Sequence, residues 1–343
     1  MHAFVLQAPG ETALADVPDP GPPGAGQVRV ALRAAALNQL DRFVIRGIPG
    51  LAYRYPHVLG ADGAGVIEAV GSGVGDLVPG DRVILNPGMS CQECEFCRAG
   101  EHSLCVRYRL LGEHVPGTLA GHIVVPARNA VRIPSTDPAL SWPEAAAFSL
   151  VTLTAWRMLV TRAQLRAGET VLVWGIGGGV SLAALQIAKL RGARVIATSS
   201  SDAKLERARA LGADVTLNHR RQKVAAEVRA LTGKRGVDVV VENVGEATWE
   251  DSLRVLAKGG RLVTCGATSG PMAVTDIRRL FWNHLTLMGS TMGNEAEYRE
   301  IVRVLGTGAL RPVVDRVYPL ADARAAFERL ERGEQMGKIA VEI

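Results

Sequence analysis

From Thr170 onward the chain alternates short apolar runs with segments of helical period, and this order of elements restricts the fold more than any other feature. TVLVWG (Thr170 to Gly175) reads as a buried strand, and SLAALQIAKLRG after it sorts into apolar and polar faces at helical spacing. ARVIATS is a second strand, and DAKLERARALGA a second helix with Asp202 near its start. VDVVVENVG is a third strand, WEDSLRVLAKGG a helix, RLVTCGATSG a fourth strand and LTLMGS a fifth. Strand–helix–strand repetition predicts an α/β fold built on a doubly wound parallel sheet, because a parallel neighbour is reached only through a crossover.

The turn after the first strand is Gly175-Ile176-Gly177-Gly178-Gly179-Val180-Ser181. Glycines there let backbone approach a pyrophosphate, and the free N–H groups of the following helix meet its charge. A dinucleotide cofactor is therefore expected. An NAD site wants a carboxylate at the end of the second strand for the ribose 2′-OH. This chain offers Thr198-Ser199-Ser200-Ser201 with Lys204 beyond, hydroxyls and a cation suited to a 2′-phosphate. NADP(H) is favoured over NAD(H), with Asp202 as the residue that speaks for NAD.

Four of the five cysteines fall in one segment, Cys91, Cys94, Cys97 and Cys105, spaced C-x2-C-x2-C-x7-C. Short loops bring four thiolates cheaply to the roughly 2.3 Å that tetrahedral zinc requires. Two disulfides suit an oxidising compartment. An iron–sulfur run of this kind has three residues before its last cysteine and a proline after it, where this chain has seven and Val106. One structural zinc per chain is the expectation, in a lobe of about residues 88–108. With all four positions filled by protein, that zinc leaves no open site for substrate. Cys265, at the end of an apolar run, reads as a small buried residue.

The 343 residues suffice for two domains with their own cores. The net charge of +5 is spread along the chain, and its densest patch, His219 to Lys223, is short. That distribution reads as a solvated surface, and no nucleic-acid partner is expected. The opening MHAFVLQAPGETAL lacks the charged and apolar regions of a signal peptide, and no apolar run reaches the roughly 20 residues of a membrane span. A cytoplasmic protein without a membrane partner is expected.

Across nearly its whole length the sequence resembles the medium-chain dehydrogenases/reductases, particularly their quinone oxidoreductase-like branch. The resemblance is carried by HVLGADGAGVIEAVGSGVGDLVPGDRV (His57 to Val83), AAAFSLVTLTAWRML (Ala145 to Leu159) and NVGEATWEDSLRVLAKGGRLVTCGATSG (Asn243 to Gly270). It implies a GroES-like, mainly β substrate domain from residues 1–149 and 290–343. Residues 150–289 would form the Rossmann domain, with the active site in the cleft. Position by position, it implies Thr154 by the nicotinamide ribose and Gly178, Gly179 and Val180 along the pyrophosphate. Ser199, Ser200, Lys204 and Asn218 would face the 2′-phosphate, and Gly266 and Ser290 the nicotinamide. Family habit also implies a homo-oligomer, dimer or tetramer, and a small-molecule substrate.

The departures from the family are equally informative. Zinc alcohol dehydrogenases place a catalytic cysteine where this chain has Asn38, and a glycine-histidine-glutamate motif where it has Gly60-Ala61-Asp62. Their third ligand falls near Leu150. The resemblance thus implies an NADP(H)-dependent reductase of a quinone or enone, working without catalytic zinc. Asn38 would hold the substrate oxygen, Asp41 would orient Asn38 or relay a proton, and Tyr53 or Tyr55 would donate one. The alternatives are an alcohol dehydrogenase with a metal site rebuilt from Asp41, His57, Asp62, Glu113 and His114, and a non-catalytic nucleotide-binding protein.

Overall fold

The alternating segments form one six-stranded sheet in the spatial order Val215–Asn218, Arg194–Ser199, Thr170–Val173, Val237–Glu242, Leu256–Thr264, Thr286–Gly289. All five pairings are parallel. Numbered along the chain the order is 3-2-1-4-5-6, that of a dinucleotide-binding sheet, with its reversal beside Thr170–Val173. The computed structural model describes residues 1–343. They divide into two units, Met1–Leu150 with Gly293–Ile343, and Val151–Met292. Ser290, Thr291 and Met292 thus belong to the sheet-bearing unit rather than to its neighbour.

Two features of this sheet differ from the periodicity reading. A strand at Val215–Asn218 and a helix at Val224–Leu231 stand between the expected second helix and third strand. Four residues, VTLN, are too few and too polar to show a strand period. The helix from Glu246 stops at Val255, and Leu256 already pairs with Val237, so LAKGG is strand rather than helix end. Buried apolar residues from both faces, among them Leu172, Ile196, Val240, Leu253 and Leu262, make the core.

The other unit is mainly β. A seven-stranded sheet runs Ala130–Arg132, Arg82–Leu85, Asp62–Val70, Gln27–Ala36, Lys338–Glu342, Val314–Pro319, with His122–Pro126 also paired to Gln27–Ala36. A second sheet joins His2–Ala8, Glu11–Asp16 and His57–Val58. Alternating burial along Gln27–Ala36 (Val28, Val30 and Leu32 inside) places one face on the core formed with Ile67, Val83 and Val125. The last strand of the chain is inserted antiparallel to that central strand, with Ala340 opposite Ala36 and Val341 opposite Ala35. Ala36 is also opposite Asp62. Three distant segments therefore meet at one end of this sheet.

Candidate functional site

In the sheet-bearing unit the glycine turn sits at the carboxyl end of Thr170–Val173, at the reversal in strand order. Gly175 takes φ +61°, a conformation that a side chain would strain. The helix Gly179–Leu190 starts from Gly178, which has no side chain to cap it, so its first-turn N–H groups are left for an anion. Ser181, which stands in place of the third fingerprint glycine, is buried, and its hydroxyl donates to Trp174 O (2.7 Å). Asn243 Nδ2 donates to Ser181 Oγ (2.8 Å) and ties the fourth strand's end to this helix. That end is held by the buried Glu242 carboxylate, which accepts from Val244 N (2.7 Å), Gly245 N (3.1 Å), Thr248 and Ser252. The sequence reading assigned Glu242 no role, because a carboxylate inside an apolar strand has no visible partner in the sequence.

The hydroxyl of Ser290 is buried without a hydrogen-bond partner, while its backbone N–H bonds to Thr264 O (2.8 Å). Such an orphan costs about 1–3 kcal/mol unless a ligand satisfies it. Thr154 is buried, with Oγ1 on Met292 Sδ (3.7 Å), and a Cβ on Gly266 would stand 3.3 Å from Asn243 O. The uncapped helix start and the orphan hydroxyl fit a nicotinamide dinucleotide.

At the far end of the second strand, Ser199 pairs with Asn218 and its oxygen accepts from His219 N (3.1 Å). Ser201 caps the helix that follows. Asp202 is not a free carboxylate. It accepts from Asn218 Nδ2 (2.7 Å) and forms an ion pair with Arg221. The Asn218 amide, and then Arg221, hold it below its usual range. Asn218 is occupied on its other side by Arg220 N (3.1 Å). The patch His219-Arg220-Arg221, read from sequence as a solvated surface, thus stands beside Ser199 and Asp202.

In the β unit Asn38 and Asp62, two of the positions matched to the zinc alcohol dehydrogenase motifs, are joined with Lys338 into a buried polar cluster. Asn38 is 6% exposed, Asp62 0% and Lys338 4%. The Lys338 ammonium donates to Asn38 Oδ1 and to Asp62 Oδ2 (2.9 Å). Asn38 Nδ2 donates to Asp62 Oδ2 (3.0 Å) and, at longer range, to Ala36 O (3.3 Å). The other Asp62 oxygen accepts Leu150 N–H (2.8 Å), and its backbone oxygen accepts from the Thr118 hydroxyl (2.7 Å). This donor set does not fit zinc. Ala61 and Leu150 have no side-chain ligand atom, and the Asn38 and Asp62 oxygens are bonded to the Lys338 ammonium. Lys338 was missed in the sequence because it lies 300 residues from Asn38.

Asp41 does not reach the Asn38 side chain. Its carboxylate accepts the backbone N–H of Asn38 (2.7 Å) and of Gly60 (3.1 Å), pinning the two segments together. Gly60 has φ +95°, and a Cβ there would stand 2.8 Å from Thr118 Oγ1. Burial pushes the Asp41 carboxyl up to about 6. Tyr53 packs its ring on His57 (5.1 Å) and Tyr55 (6.5 Å), and its hydroxyl is buried without a partner. His57 is bonded through Nε2 to Gly112 O (3.0 Å), and His114 Nδ1 accepts from Leu110 N (3.3 Å). Asp41, His57, Asp62, Glu113 and His114 are not gathered into a ligand set.

Cys91, Cys94, Cys97 and Cys105 are gathered, with all sulfurs within 4.8 Å of one another. The Cys94–Cys97 and Cys91–Cys97 separations are 3.5 and 3.9 Å. A tetrahedron with Zn–S near 2.3 Å has edges of about 3.8 Å, whereas a disulfide needs about 2.05 Å. Backbone N–H groups of Cys91 (3.2 Å) and Arg107 (3.3 Å) point at Cys105 Sγ, as thiolate ligands require. These four side chains fit one structural zinc. The lobe is fastened to its own unit by Gln92 Nε2 on Glu295 (2.7 Å) and Arg128 on Ser90 O (3.0 Å).

Residues 24–135 match the family model of the alcohol dehydrogenase GroES-like domain, and residues 179–307 that of zinc-binding dehydrogenases. A crystal structure of an NAD-dependent alcohol dehydrogenase shares 46% identity at TM-score 0.95, covering all of both chains. A zinc-type alcohol dehydrogenase-like protein of Schizosaccharomyces pombe is 34% identical over 325 residues, 93% of this chain and 91% of that one. A crotonyl-CoA reductase of Streptomyces avermitilis is 32% identical over 308 residues, 83% of this chain and 68% of that one.

Proposed function

Since the chain belongs to the medium-chain dehydrogenase/reductase superfamily and is a nicotinamide-dependent oxidoreductase, we propose that it reduces a conjugated carbonyl compound, a quinone or enone, with NADP(H) and without catalytic zinc. The observation that carries this reading is that Asn38, Ala61 and Leu150 stand at the matched ligand positions, with Asn38 and Asp62 bonded to each other and to Lys338. A zinc ion there would act as a Lewis acid on an isolated carbonyl. A conjugated carbonyl spreads the incoming charge onto oxygen and needs only fixed hydrogen-bond donors there.

A nicotinamide cofactor, when bound, would supply the hydride, two electrons with one hydrogen, that this reduction requires. The Asn38 amide meets the oxygen on which charge gathers, and Asp41 holds the Asn38 backbone in place. The unpartnered Tyr53 hydroxyl is the candidate to deliver the proton that completes the reduction. Thr154, Gly266 and Ser290 are proposed to hold the nicotinamide, and Gly178, Gly179 and Val180 the pyrophosphate. Ser199, Ser200 and Lys204 are proposed for the 2′-phosphate, with Asn218 acting through Asp202. Neutralisation of Asp202 by Arg221 removes the repulsion that a carboxylate there would exert.

The test is a cofactor-oxidation assay on extensively dialysed protein. NADPH-dependent reduction of 1,4-benzoquinone and 2-cyclohexenone, with one zinc per chain, is expected. Oxidation of simple alcohols lost on chelation, with two zincs per chain, overturns the reading in favour of an alcohol dehydrogenase. That second reading is favoured by the relative of 46% identity, described as an NAD-dependent alcohol dehydrogenase. NADH binding tighter than NADPH would likewise reverse the cofactor assignment.

A homodimer through the sheet edge is also proposed. Thr286–Gly289 is an edge strand, and near it along the chain stand Met272 (78% exposed), Val274 (89%), Ile277, Phe281 and Trp282 (74%). An unprotected edge beside exposed apolar side chains invites a self-complementary contact.

A further inference from the structure

We infer that the dinucleotide-binding unit carries a second anion site, remote from the cofactor turn, that takes the phosphate group of a small phosphorylated metabolite. A cavity of about 320 Å³, lined by Arg229, Lys234, Arg235 and Lys258, lies at the amino ends of Val237–Glu242 and Leu256–Thr264. The glycine turn lies at the carboxyl end of the neighbouring parallel strand, Thr170–Val173. A six-residue strand, at about 3.3 Å per residue, sets roughly 20 Å between the two ends.

Three stretches of backbone converge on the cavity. Arg229 stands near the end of the helix Val224–Leu231, and Lys234 and Arg235 follow in the turn after it. Lys258 sits in a bulge: Val237 pairs with Leu256 but Val239 with Arg261, so Ala257 to Gly260 stand against Asp238 alone. Bulges take a side chain out of the ladder and re-aim it. Lys234 has φ +68°, a conformation disfavoured for a residue with a Cβ. Gly236 has φ +95°, and a Cβ there would stand 2.5 Å from Val255 O, so the turn is pressed against the start of the next strand. Gly259 N donates to Asn283 O (2.8 Å), which brings the third segment to the cavity.

The charge of this cavity identifies its ligand. Of the four cations only Arg235 is in an ion pair, with Asp238 (2.5 Å). Glu169, the other carboxylate that acts on Arg235, is held by Arg261. Arg229 donates to two backbone oxygens, Lys234 O (2.8 Å) and Arg254 O (3.4 Å), which fix its fork without neutralising it and leave it further donors. Lys234 and Lys258 are exposed. Arg229, Lys234 and Lys258 thus repel one another around one cavity, and an anion of two or more charges relieves that repulsion. A guanidinium fork beside two ammoniums suits the oxygens of a phosphate monoester. Leu256 and Ala257 give the organic part of such a molecule an apolar wall. No aromatic side chain lines the cavity to stack a base, and its cations do not form the stripe that a nucleic-acid backbone follows.

The experiment is calorimetric titration of the full chain, saturated with whichever nicotinamide dinucleotide it binds more tightly so that the cofactor turn is filled. The probes are ribose 5-phosphate, inorganic phosphate and ribose, at about 0.15 M salt. Ribose 5-phosphate is expected to bind once per chain with a Kd below about 1 mM, inorganic phosphate more weakly, and ribose not at all. Combining Lys234→Asn, which tolerates the left-handed backbone, with Lys258→Gln is expected to weaken ribose 5-phosphate about tenfold or more. Tm and cofactor affinity should hold, since both side chains are exposed. If the double variant loses its fold, Lys258→Gln alone is used, with a loss of about threefold or more expected. No saturable binding by ribose 5-phosphate or phosphate up to about 10 mM overturns the inference. Binding that the variants leave intact does the same, because the anion then sits elsewhere. Inorganic phosphate binding as tightly as ribose 5-phosphate overturns the metabolite in favour of free phosphate. A single-stranded RNA that binds more tightly than either, and is lost in the same variants, overturns the small-molecule ligand. None of these outcomes depends on the reductase reading.

Discussion

Asp41 lies fully inside the β unit, facing Lys338 and Asp62, and its carboxyl is raised to about 6 mainly by burial. Two backbone N–H bonds and the Lys338 charge oppose that shift without cancelling it. Between the ordinary carboxylate value near 4 and about 6, the folded chain holds a proton that the unfolded chain has lost. Stability from this group therefore falls as pH rises through that window, by about 3 kcal/mol. Asp41→Asn, neutral throughout, is expected to gain stability relative to wild type by about that amount between pH 4 and 7. It does so on top of a constant offset for the altered acceptor. Denaturant unfolding at several pH values checks this, and a pH-independent difference refutes it. Asp202 shows the opposite situation, a carboxylate held below its usual range by Asn218 and Arg221. On the proposed NADP(H) assignment, Arg221→Ala would expose that charge to the 2′-phosphate. NADPH affinity is expected to fall about tenfold or more while NADH affinity holds, by fluorescence titration.

At the scale of elements, the cysteine lobe contains only a four-residue helix, a three-residue 3-10 turn and one short strand pair. Such pieces cannot bury enough apolar surface to hold themselves, so the metal must close them. Cys97→Ser is expected to abolish zinc retention and lower Tm by several degrees, a loss on the order of 3 kcal/mol. NADPH affinity should be unchanged, because the lobe and the cofactor turn belong to different units. Zinc measured by elemental mass spectrometry alongside calorimetry checks it, and an unchanged Tm with zinc lost sinks the structural role.

For the whole molecule, the exposed apolar residues around Phe281 and Trp282 are the feature a monomer explains least. Sedimentation is expected to give a dimer or a higher even assembly, and Trp282→Glu to shift it toward monomer. A wild-type monomer at micromolar concentration removes that proposal. No helix is long and apolar enough to cross a membrane.

The sequence by itself determined the alternating α/β half, the glycine turn and the four-cysteine cluster, because each rests on spacing within a few residues, where periodicity and loop closure act. The resemblance also implied that Asn38, Ala61 and Leu150 stand where zinc alcohol dehydrogenases place their ligands. The short strand Val215–Asn218 stayed hidden, since four residues carry no period and its pairing with Arg194–Ser199 supplies the order. How these positions are bonded was decided only in three dimensions. Lys338 and Asp62 open two strands and Asn38 lies two residues beyond the end of the strand between them, whose register brings the three into one buried cluster. Likewise, only the fold brings Arg221 onto Asp202. The physical reason is the same in both cases. A charge's effect depends on what lies within a few ångströms of it, and across the two strand pairings that distance is set by register rather than by position in the chain.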